Sequence, residues 1–458
     1  MEQIQKLTIE KLSDEGLGVA RMLEHDRERQ VFVPYTLPGD VVEAEIIRAR
    51  KKRLGRVLQI VSPAQERIQA RCKHFGSCGG CTFQHMPYEL QCKHKEQYIR
   101  NLFQDLLQEH TAFLPLVPSP DVWEYRNKME FTFSEDKKGE KFLGLILARS
   151  RGHVFHLEEC FLSHNWFQET VKAVRAWWLE RSILAYRHAK NTGALRTLSL
   201  RHGIETGDRL VMLTVSANPD FALHQNDLRA FVEAVHTVSP KASCILRLHQ
   251  IVPGKPSQFY EMKLAGDDFF QEKITLPDQT LTFQLSPSAF FQPNTGAASK
   301  IYAKAIEHAG FQSSDVVYDL YSGAGVFGMC VAHLVRQVIG IELSADCHFD
   351  ATVNKERLGC TTYRPIKGDV GEVLKKRDFE APDVVIVDPP RVGLDPSALN
   401  LISSLRPKTL VYVSCNPKTQ RENIQFFLQN GFRLTLVQPI DQFPHTPHIE
   451  NIAILKSS

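Results

Sequence analysis

Cys415 closes the apolar run Val411-Tyr-Val-Ser414 and opens onto Asn416-Pro417, so a thiol stands in a turn at the end of a predicted strand. A second apolar run stops at Asp388-Pro-Pro-Arg391, and further on the chain reads His445-Thr-Pro-His-Ile-Glu450. A nucleophile type, a loop carboxylate and a base type thus fall at the ends of successive elements. Open α/β sheets bind ligands outside the carboxyl ends of their strands, so this arrangement suits covalent chemistry on a small, flat electrophile. Uracil is such a ring. Its carbon 5 is too weak a nucleophile to take a methyl group unaided. A thiolate adding to carbon 6 turns the ring into an enolate, carbon 5 attacks a methyl donor, a base removes the carbon 5 proton, and the thiol leaves. Cys415 and Glu450 supply the two residue types that this scheme needs. A lone cysteine after a strand is also a common core residue; Ser414, Asn416 and Pro417 make a turn that exposes it. His445, His448 and Glu450 as metal ligands would lack helical spacing, and Pro444 and Pro447 interrupt the run.

A donor pocket is predicted upstream. Val316-Val-Tyr-Asp-Leu-Tyr-Ser-Gly-Ala-Gly325 reads as a strand entering a glycine turn and then a helix. Glu342, 19 residues after Gly323, ends the next strand and suits a ribose hydroxyl. Gly323, Gly325 and Gly328 complete a formal Gly-x-Gly-x-x-Gly, which keeps a dinucleotide open. Asp319, in the strand before the turn, would sit badly near a pyrophosphate and suits the amino acid end of S-adenosylmethionine. Gly368-Asp369 follows the third strand, where an adenine would lie. A plain α/β core with structural glycines is the remaining reading. Asp388-Pro-Pro-Arg391 resembles the Asp/Asn-Pro-Pro-Tyr loop of enzymes that methylate amino groups, with Arg391 in place of the stacking aromatic. That substitution points to a ring carbon and a separate nucleophile.

Cys72-x5-Cys78-Gly-Gly-Cys81 places three thiols within ten residues, a metal-binding pattern with glycines that let the loop wrap a ligand. A closed site needs a fourth ligand, and Cys92 is near but falls in a predicted helix. Spacing alone leaves zinc and an iron–sulfur cluster both open. Radical chemistry on S-adenosylmethionine would call for Cys-x3-Cys-x2-Cys spacing, which is absent here, and Cys415 already provides a separate nucleophile. Cys244, Cys330, Cys347 and Cys360 read as ordinary buried or helical positions.

The elements that must position these groups follow from patterning. The chain has 458 residues, net charge +3, 43% hydrophobic and 23% charged residues, the profile of a soluble globular protein of several domains. Ten cysteines are too sparse for a disulfide scaffold. No apolar run approaches the roughly 18 residues of a membrane span, and Met1–Lys6 does not read as a signal peptide, so the expected setting is cytoplasmic. Residues 1–62 alternate as about five short strands, suggesting a small β-barrel of OB type. Arg48, Arg50, Lys51, Lys52, Arg53 and Arg56 form a basic run there, either a phosphate grip or a solvated turn. A helix is predicted from Pro87 to about Leu107. Residues 116–265 mix strands, among them Arg196–Arg201 and Arg209–Val215, with a helix around Asp227–Val235. From about residue 270 strands and helices alternate, with strand ends at Tyr321, Glu342, Gly368, Asp388 and Cys415, the pattern of a parallel, doubly wound sheet. Phe432–Val437 and Asn451–Leu455 are expected to close it as a hairpin.

Together with Ser286-Pro-Ser-Ala-Phe-Phe-Gln-Pro-Asn294, these motifs resemble, over nearly the whole chain, the RNA 5-methyluridine methyltransferases, in the iron–sulfur branch that modifies 23S ribosomal RNA and carries an N-terminal TRAM domain. The resemblance implies that Gln292, Tyr321, Glu342, Asp369 and Asp388 contact S-adenosylmethionine, that Cys415 is the nucleophile and that Glu450 is the base. It also implies that Cys160 joins Cys72, Cys78 and Cys81 around a structural 4Fe–4S cluster. The implied fold is multidomain α/β: an OB-like β-barrel over 1–62, a central α+β iron–sulfur domain over 63–268, and a doubly wound, Rossmann-like methyltransferase domain over 269–458. The implied function is methylation of carbon 5 of a uridine in 23S ribosomal RNA by a monomer that binds no membrane. A tRNA uridine is the alternative substrate; the barrel favours ribosomal RNA, because tRNA-modifying relatives in bacteria lack barrel and cluster. An RNA-binding protein with an inactive enzyme domain is the alternative class, against which Cys415 and Glu450 speak. Phe290 and Phe291 are candidates to stack on bases or to fill the core. Two departures stand out: Val326, where relatives often carry a polar side chain, and Ser322, where many have cysteine.

Overall fold

The computed structural model describes residues 3–24, 27–49, 52–150, 152–252, 254–376 and 379–457. Alternating apolar residues in the first 62 positions build one six-stranded sheet. Its strands run in the order Gln3–Thr8, Val41–Ala49, Lys52–Ser62, Arg27–Val33, Gly18–Glu24 and Lys11–Leu12. Leu7, Ala20, Val31, Val33, Val42 and Ala44 form its own small core. The basic run does not stand free. Arg48 and Arg53 both pair with Glu24, Arg56 pairs with Glu45, and Lys52 lies 3.1 Å from Glu15. Arg50 and Lys51 lie outside the described residues. Glu24 and Glu45 come from strands other than those of their partners and Glu15 from a turn, which a linear reading does not bring together, so the phosphate-grip expectation loses much of its charge.

The middle of the chain forms a seven-stranded sheet in the order Val154–His156, Lys141–Ile146, Lys128–Glu135, Leu195–His202, Arg209–Ser216, Ser243–Gln250 and Gln258–Ala265. The helices Asn165–Leu179 and Gln225–Val238 cover one face through Trp177, Trp178 and Phe231, packed on Leu198, Leu200, Leu213 and Leu246. On the opposite face Leu210, Met212 and Ile245 join a core shared with Phe270, Phe283 and Ile301.

The remainder centres on an eight-stranded sheet. Five parallel strands lie in the order Tyr363–Lys367, Gln337–Glu342, Val316–Leu320, Val384–Val387 and Thr409–Ser414. The chain steps outward in one direction from Val316–Leu320 and then in the other, so the strand order reverses beside that strand, the place where such sheets bind ligands. The expected closing hairpin is more elaborate. Glu450–Ser457 inserts antiparallel between Thr409–Ser414 and Phe432–Ile440, and residues 441–449 form a long connecting loop. Ala112–Phe113 adds a short edge strand beside Phe432–Ile440. The helix Tyr88–Phe103 packs Ile99 and Phe103 against this same sheet, so residues 88–117 build onto the C-terminal core.

Candidate active site

The strand Thr409–Ser414 is buried throughout and delivers Cys415, half-buried, at its carboxyl end. Its turn is fixed from three sides. The Ser414 hydroxyl accepts from the Asn416 amide at 3.1 Å. Asn416 caps the helix Pro417–Gln429, and its Nδ2 donates to the Arg391 carbonyl at 2.8 Å. Gln420 donates to the carbonyls of Tyr412 and Asn451 at 2.9 and 3.0 Å. The thiol is thereby locked to both the Asp388 loop and the Glu450 strand. The last register pair of those strands is Ser414 with Asn451, so one step further Cys415 faces Glu450 as a cross-strand neighbour. Burial, then the charges of Glu450 and Asp388, push the Cys415 thiol up to about 11, with the Arg391 guanidinium opposing them.

Glu450 is 2% exposed, and its Oε2 has no hydrogen-bond partner among the described residues. Burial and the nearby Asp388 hold its carboxyl well above the usual range, again against Arg391. Asp388 is raised to about 7 by burial, while a 3.2 Å hydrogen bond from Gln292 Nε2 favours its charged form. Gln292 in turn accepts from Gln442 Nε2 at 2.7 Å, and its carbonyl accepts from Asn127 Nδ2 at 2.8 Å. The result is a thiol, two carboxyls of raised basicity and one guanidinium around a common space. A carboxyl raised above its usual range by burial, with an unengaged oxygen, is suited to accept a proton.

The glycine turn lies on the other side of Asp388. Tyr321 is a non-glycine residue held at φ 63°, a left-handed conformation that costs of order 1 kcal/mol or more and persists where surrounding structure imposes it. Glu342 anchors the turn, accepting from the amides of Gly323 at 2.9 Å and Ser344 at 2.6 Å. Asp319, buried and raised to about 7, accepts from the Gly328 amide at 2.9 Å. That bond takes a first-turn donor that a pyrophosphate would need, which removes the basis of the dinucleotide reading. The third glycine has a packing explanation: a Cβ on Gly328 would lie 2.5 Å from the Tyr363 ring. Val326 is buried. Asp369 is exposed and accepts from the Glu372 amide at 3.1 Å, opening the helix Val370–Lys376. Phe290 is 62% exposed, whereas Phe291 is in the core.

Cys72, Cys78, Cys81 and Cys160 line a single cavity of about 340 Å³, along with His74, Gln84 and Glu159. Cys92 is set apart on the helix Tyr88–Phe103. Burial pushes the Cys72 thiol up to about 11 and Cys81 to about 12, and the neighbouring thiols add to both shifts. Among the described residues no three His, Cys, Asp or Glu side chains are placed to hold a single metal ion.

The loop that leads to Glu450 is clasped by the segment following those cysteines. The amides of Thr82 and Phe83 donate to the His445 carbonyl at 2.7 and 3.0 Å. The His445 ring stacks on Trp123 at 3.8 Å, and its amide donates to Gln91 at 2.8 Å. Lys95 and Asp441 form an ion pair at 2.6 Å, with side-chain exposures of 1% and 0%. The Lys95–Asp441 pair was not marked by the sequence, because its members are 346 residues apart. Arg391 was noted only as a missing aromatic; its exposed guanidinium, 3.5 Å from His448 Nδ1, is a cation whose charge bears on both the thiol and the base.

Known proteins resemble this chain in sequence and in fold. The family model described as tRNA (Uracil-5-)-methyltransferase matches residues 256–458. That described as tRNA (uracil(54)-C(5))-methyltransferase, TRAM domain, matches residues 5–57. An uncharacterized RNA methyltransferase of Protochlamydia amoebophila is 49% identical over 92% of this chain and 99% of its own. One of Clostridium tetani is 33% identical over 98% and 97%. The crystal structure of Pyrococcus abyssi tRNA (uracil-54, C5)-methyltransferase in complex with S-adenosyl-L-homocysteine superposes with a TM-score of 0.75 at 25% identity, covering 98% of this chain and 99% of that one.

Proposed function

Since the chain belongs to the family of RNA (uracil-5-)-methyltransferases that carry a TRAM domain, we propose that it methylates carbon 5 of a uridine in 23S ribosomal RNA, with Cys415 as nucleophile and Glu450 as base. One observation carries the assignment of roles: Cys415 and the unengaged Oε2 of Glu450 face each other at the ends of paired strands. Cys415 gives up its proton to solvent and, as the thiolate, bonds to carbon 6 of the uracil, and Arg391 offsets the negative charge that develops. S-adenosylmethionine, when bound, supplies the methyl electrophile that the activated carbon 5 takes. Glu450 then accepts the carbon 5 proton, the ring double bond re-forms and the Cys415 thiolate departs. The donor fits the residues present: Asp388 and Asp319 are carboxyls raised by burial with no basic side chain bonded to them, a setting that favours a cationic ligand. Gln292, Tyr321, Glu342, Asp369 and Asp388 would hold it.

The thiol cavity fits a 4Fe–4S cluster. Burial, with a smaller contribution from neighbouring thiols, raises Cys72, Cys78 and Cys81, so a metal group is what would keep them as thiolates. A single zinc ion would need its sulfurs about 2.3 Å from one point, whereas here the thiols surround a cavity of about 340 Å³. In this reading the cluster pins the loop that clasps His445. The domains run 1–62, 63–268 and 269–458, with residues 88–117 of the second folded onto the core of the third, and the protein acts as a monomer in the cytoplasm. Among the described residues no helix is long and apolar enough to cross a membrane.

A tRNA uridine is the second reading, favoured by the archaeal neighbour that acts on tRNA. The barrel does not separate the two substrates, because the matching TRAM model is that of a tRNA enzyme. Incubating the protein with labelled S-adenosylmethionine and, separately, unmodified 23S ribosomal RNA and bulk tRNA tests the choice. 5-Methyluridine in the ribosomal RNA is expected; 5-methyluridine only in tRNA moves the assignment to the second reading, and none in either overturns both.

A further inference from the structure

The N-terminal barrel buries apolar side chains in two places. Leu7, Val31, Val33 and Val42 fill its interior. Leu12 and Leu37, with Ala64 just past the last barrel strand, form a separate set with Phe83, Met86 and Leu90. The turn Ser13–Leu17 seats in that joint. It is closed by the Ser13 amide donating to the Leu17 carbonyl at 2.8 Å and the Gly16 amide to the Ser13 carbonyl at 2.9 Å. Gly16 is held at φ 73°, and a Cβ there would lie 2.5 Å from the Phe83 ring. The turn therefore lies directly against that ring, which is 0% exposed. Its neighbours reach the same side of the molecule. The His94 side chain bonds the Ser13 backbone, and Asp14 lies 3.2 Å from Lys418 in the helix that follows Cys415.

Phe83 in turn holds the chain that leads to Glu450. Its amide donates to the His445 carbonyl at 3.0 Å. Its own carbonyl accepts from Gln91 Nε2 at 3.3 Å, and Gln91 Oε1 accepts from the His445 amide at 2.8 Å. His445 is thus gripped at both its carbonyl and its amide. The grip matters because His445 is a non-glycine residue at φ 65°. A histidine keeps that left-handed conformation only where its surroundings impose it. Released, it would relax toward φ < 0 and swing residues 446–449, which run into Glu450.

We infer that Phe83 is a positioning residue for the proton-abstraction step and ties that step to the seating of the barrel. The Ser13–Leu17 turn backs the Phe83 ring, Phe83 and Gln91 hold His445 left-handed, and that bend aims Glu450. This role rests on the reading of Glu450 as the base. Cys415 is fixed separately, through the bonds of Ser414 and Asn416 within its own turn and to the Arg391 carbonyl. The Asp14–Lys418 pair is exposed on both sides and contributes little to holding that turn. An unseated barrel therefore leaves addition to the ring intact and slows release of the product.

The test compares the full-length protein with Gly16→Asn, Phe83→Leu and the Gly16→Asn/Phe83→Leu double variant. Asparagine tolerates a left-handed backbone, so Gly16→Asn acts through its side chain on the ring, and leucine at position 83 removes the ring atoms it strikes. Native-state hydrogen exchange reads the His445 amide, and the Val31 and Val33 amides report whether the barrel stays folded. Quenched time courses on the RNA that the wild type accepts read release of the covalent adduct; 5-fluorouridine RNA reads its formation. Gly16→Asn is expected to lower His445 protection about tenfold and to slow release about tenfold. Its barrel amides should be unchanged and its adduct formation within about twofold of wild type. Phe83→Leu should show the same pattern at about threefold, and the double variant should recover to that level. A barrel that only binds RNA gives no such rescue. Unchanged His445 protection in both single variants, adduct formation that falls as far as release, or a double variant worse than Gly16→Asn would overturn the coupling. Should Gly16→Asn not fold, Phe83→Leu decides by the same two readouts. A wild type that forms no adduct with any RNA defeats the reading of the site instead, and His445 exchange still decides whether the barrel holds the loop.

Discussion

Replacing Lys95 by methionine should detach the loop that carries the base. Lys95 Nζ bonds Asp441 Oδ1 at 2.6 Å and the Phe443 carbonyl at 3.0 Å. Asp441 Oδ1 accepts also from the Phe443 amide at 3.1 Å, and Oδ2 has no partner among the described residues. After the substitution a fully buried carboxylate keeps one hydrogen bond and no counter-charge. Breaking a buried pair in this way costs about 3–5 kcal/mol, or roughly two to three and a half powers of ten in a local opening equilibrium. Because residues 441–449 lead directly into Glu450, the loss should appear in the loop before it appears in the rest of the sheet. Native-state hydrogen exchange reads it: protection of the Phe443 and His445 amides should fall by that amount, while amides of Val384–Val387 change little. The double variant Lys95→Met/Asp441→Asn removes the stranded charge and should recover most of the protection. Covalent protein–RNA adduct should build up with ordinary substrate in the single variant, since the step that needs Glu450 is slowed. A loss under about 1 kcal/mol, or a double variant no better than the single, would refute the idea that this pair holds the base.

Glu450→Gln should still add Cys415 to the ring and accept the methyl group but release product at least about a hundredfold more slowly; denaturing gels would show stalled adduct with normal RNA, and absence of adduct would remove Glu450 as the base. Asp319 and Asp388 both rise from 3.8 to about 7 in the folded chain. The stability that their protonation provides is therefore fully present below about pH 4 and lost as pH rises through about 7. Thermal midpoints measured from pH 5 to 8 should decline, and Asp388→Asn should flatten the decline; an unchanged slope contradicts the raised pKa. Protein purified anaerobically should be brown, with broad visible absorbance and about four irons per chain. Cys160→Ala should lose that colour, and a colourless, zinc-loaded wild type would overturn the cluster.

Local patterns were legible in the sequence because their causes are local. The strand ends at Leu320, Glu342, Lys367, Val387 and Ser414 fall within a residue of those read from apolar runs and turn residues. The three clustered thiols announce themselves by spacing, whereas the place of Cys160 in the same cavity came from family resemblance. What the sequence hid depends on strand pairing. The acids that neutralise the Arg48–Arg56 run sit on other strands or, for Glu15, in a turn. The face-to-face placement of Cys415 and Glu450 arises because the last strand inserts between two earlier ones. Gly328 read as part of a phosphate loop, yet it is small because Tyr363 packs on it. Asp319 was read as facing a ligand, and its second task, accepting from the Gly328 amide of the helix, was not visible in the sequence.

The central claim is that Cys415 attacks the ring. RNA carrying 5-fluorouridine at the target should trap the intermediate, because fluorine does not leave as a proton does. Intact mass of the wild-type protein should then show one RNA and one methyl group bound covalently per chain, and Cys415→Ala should show neither. Adduct of the same mass on the Cys415→Ala protein would contradict the account.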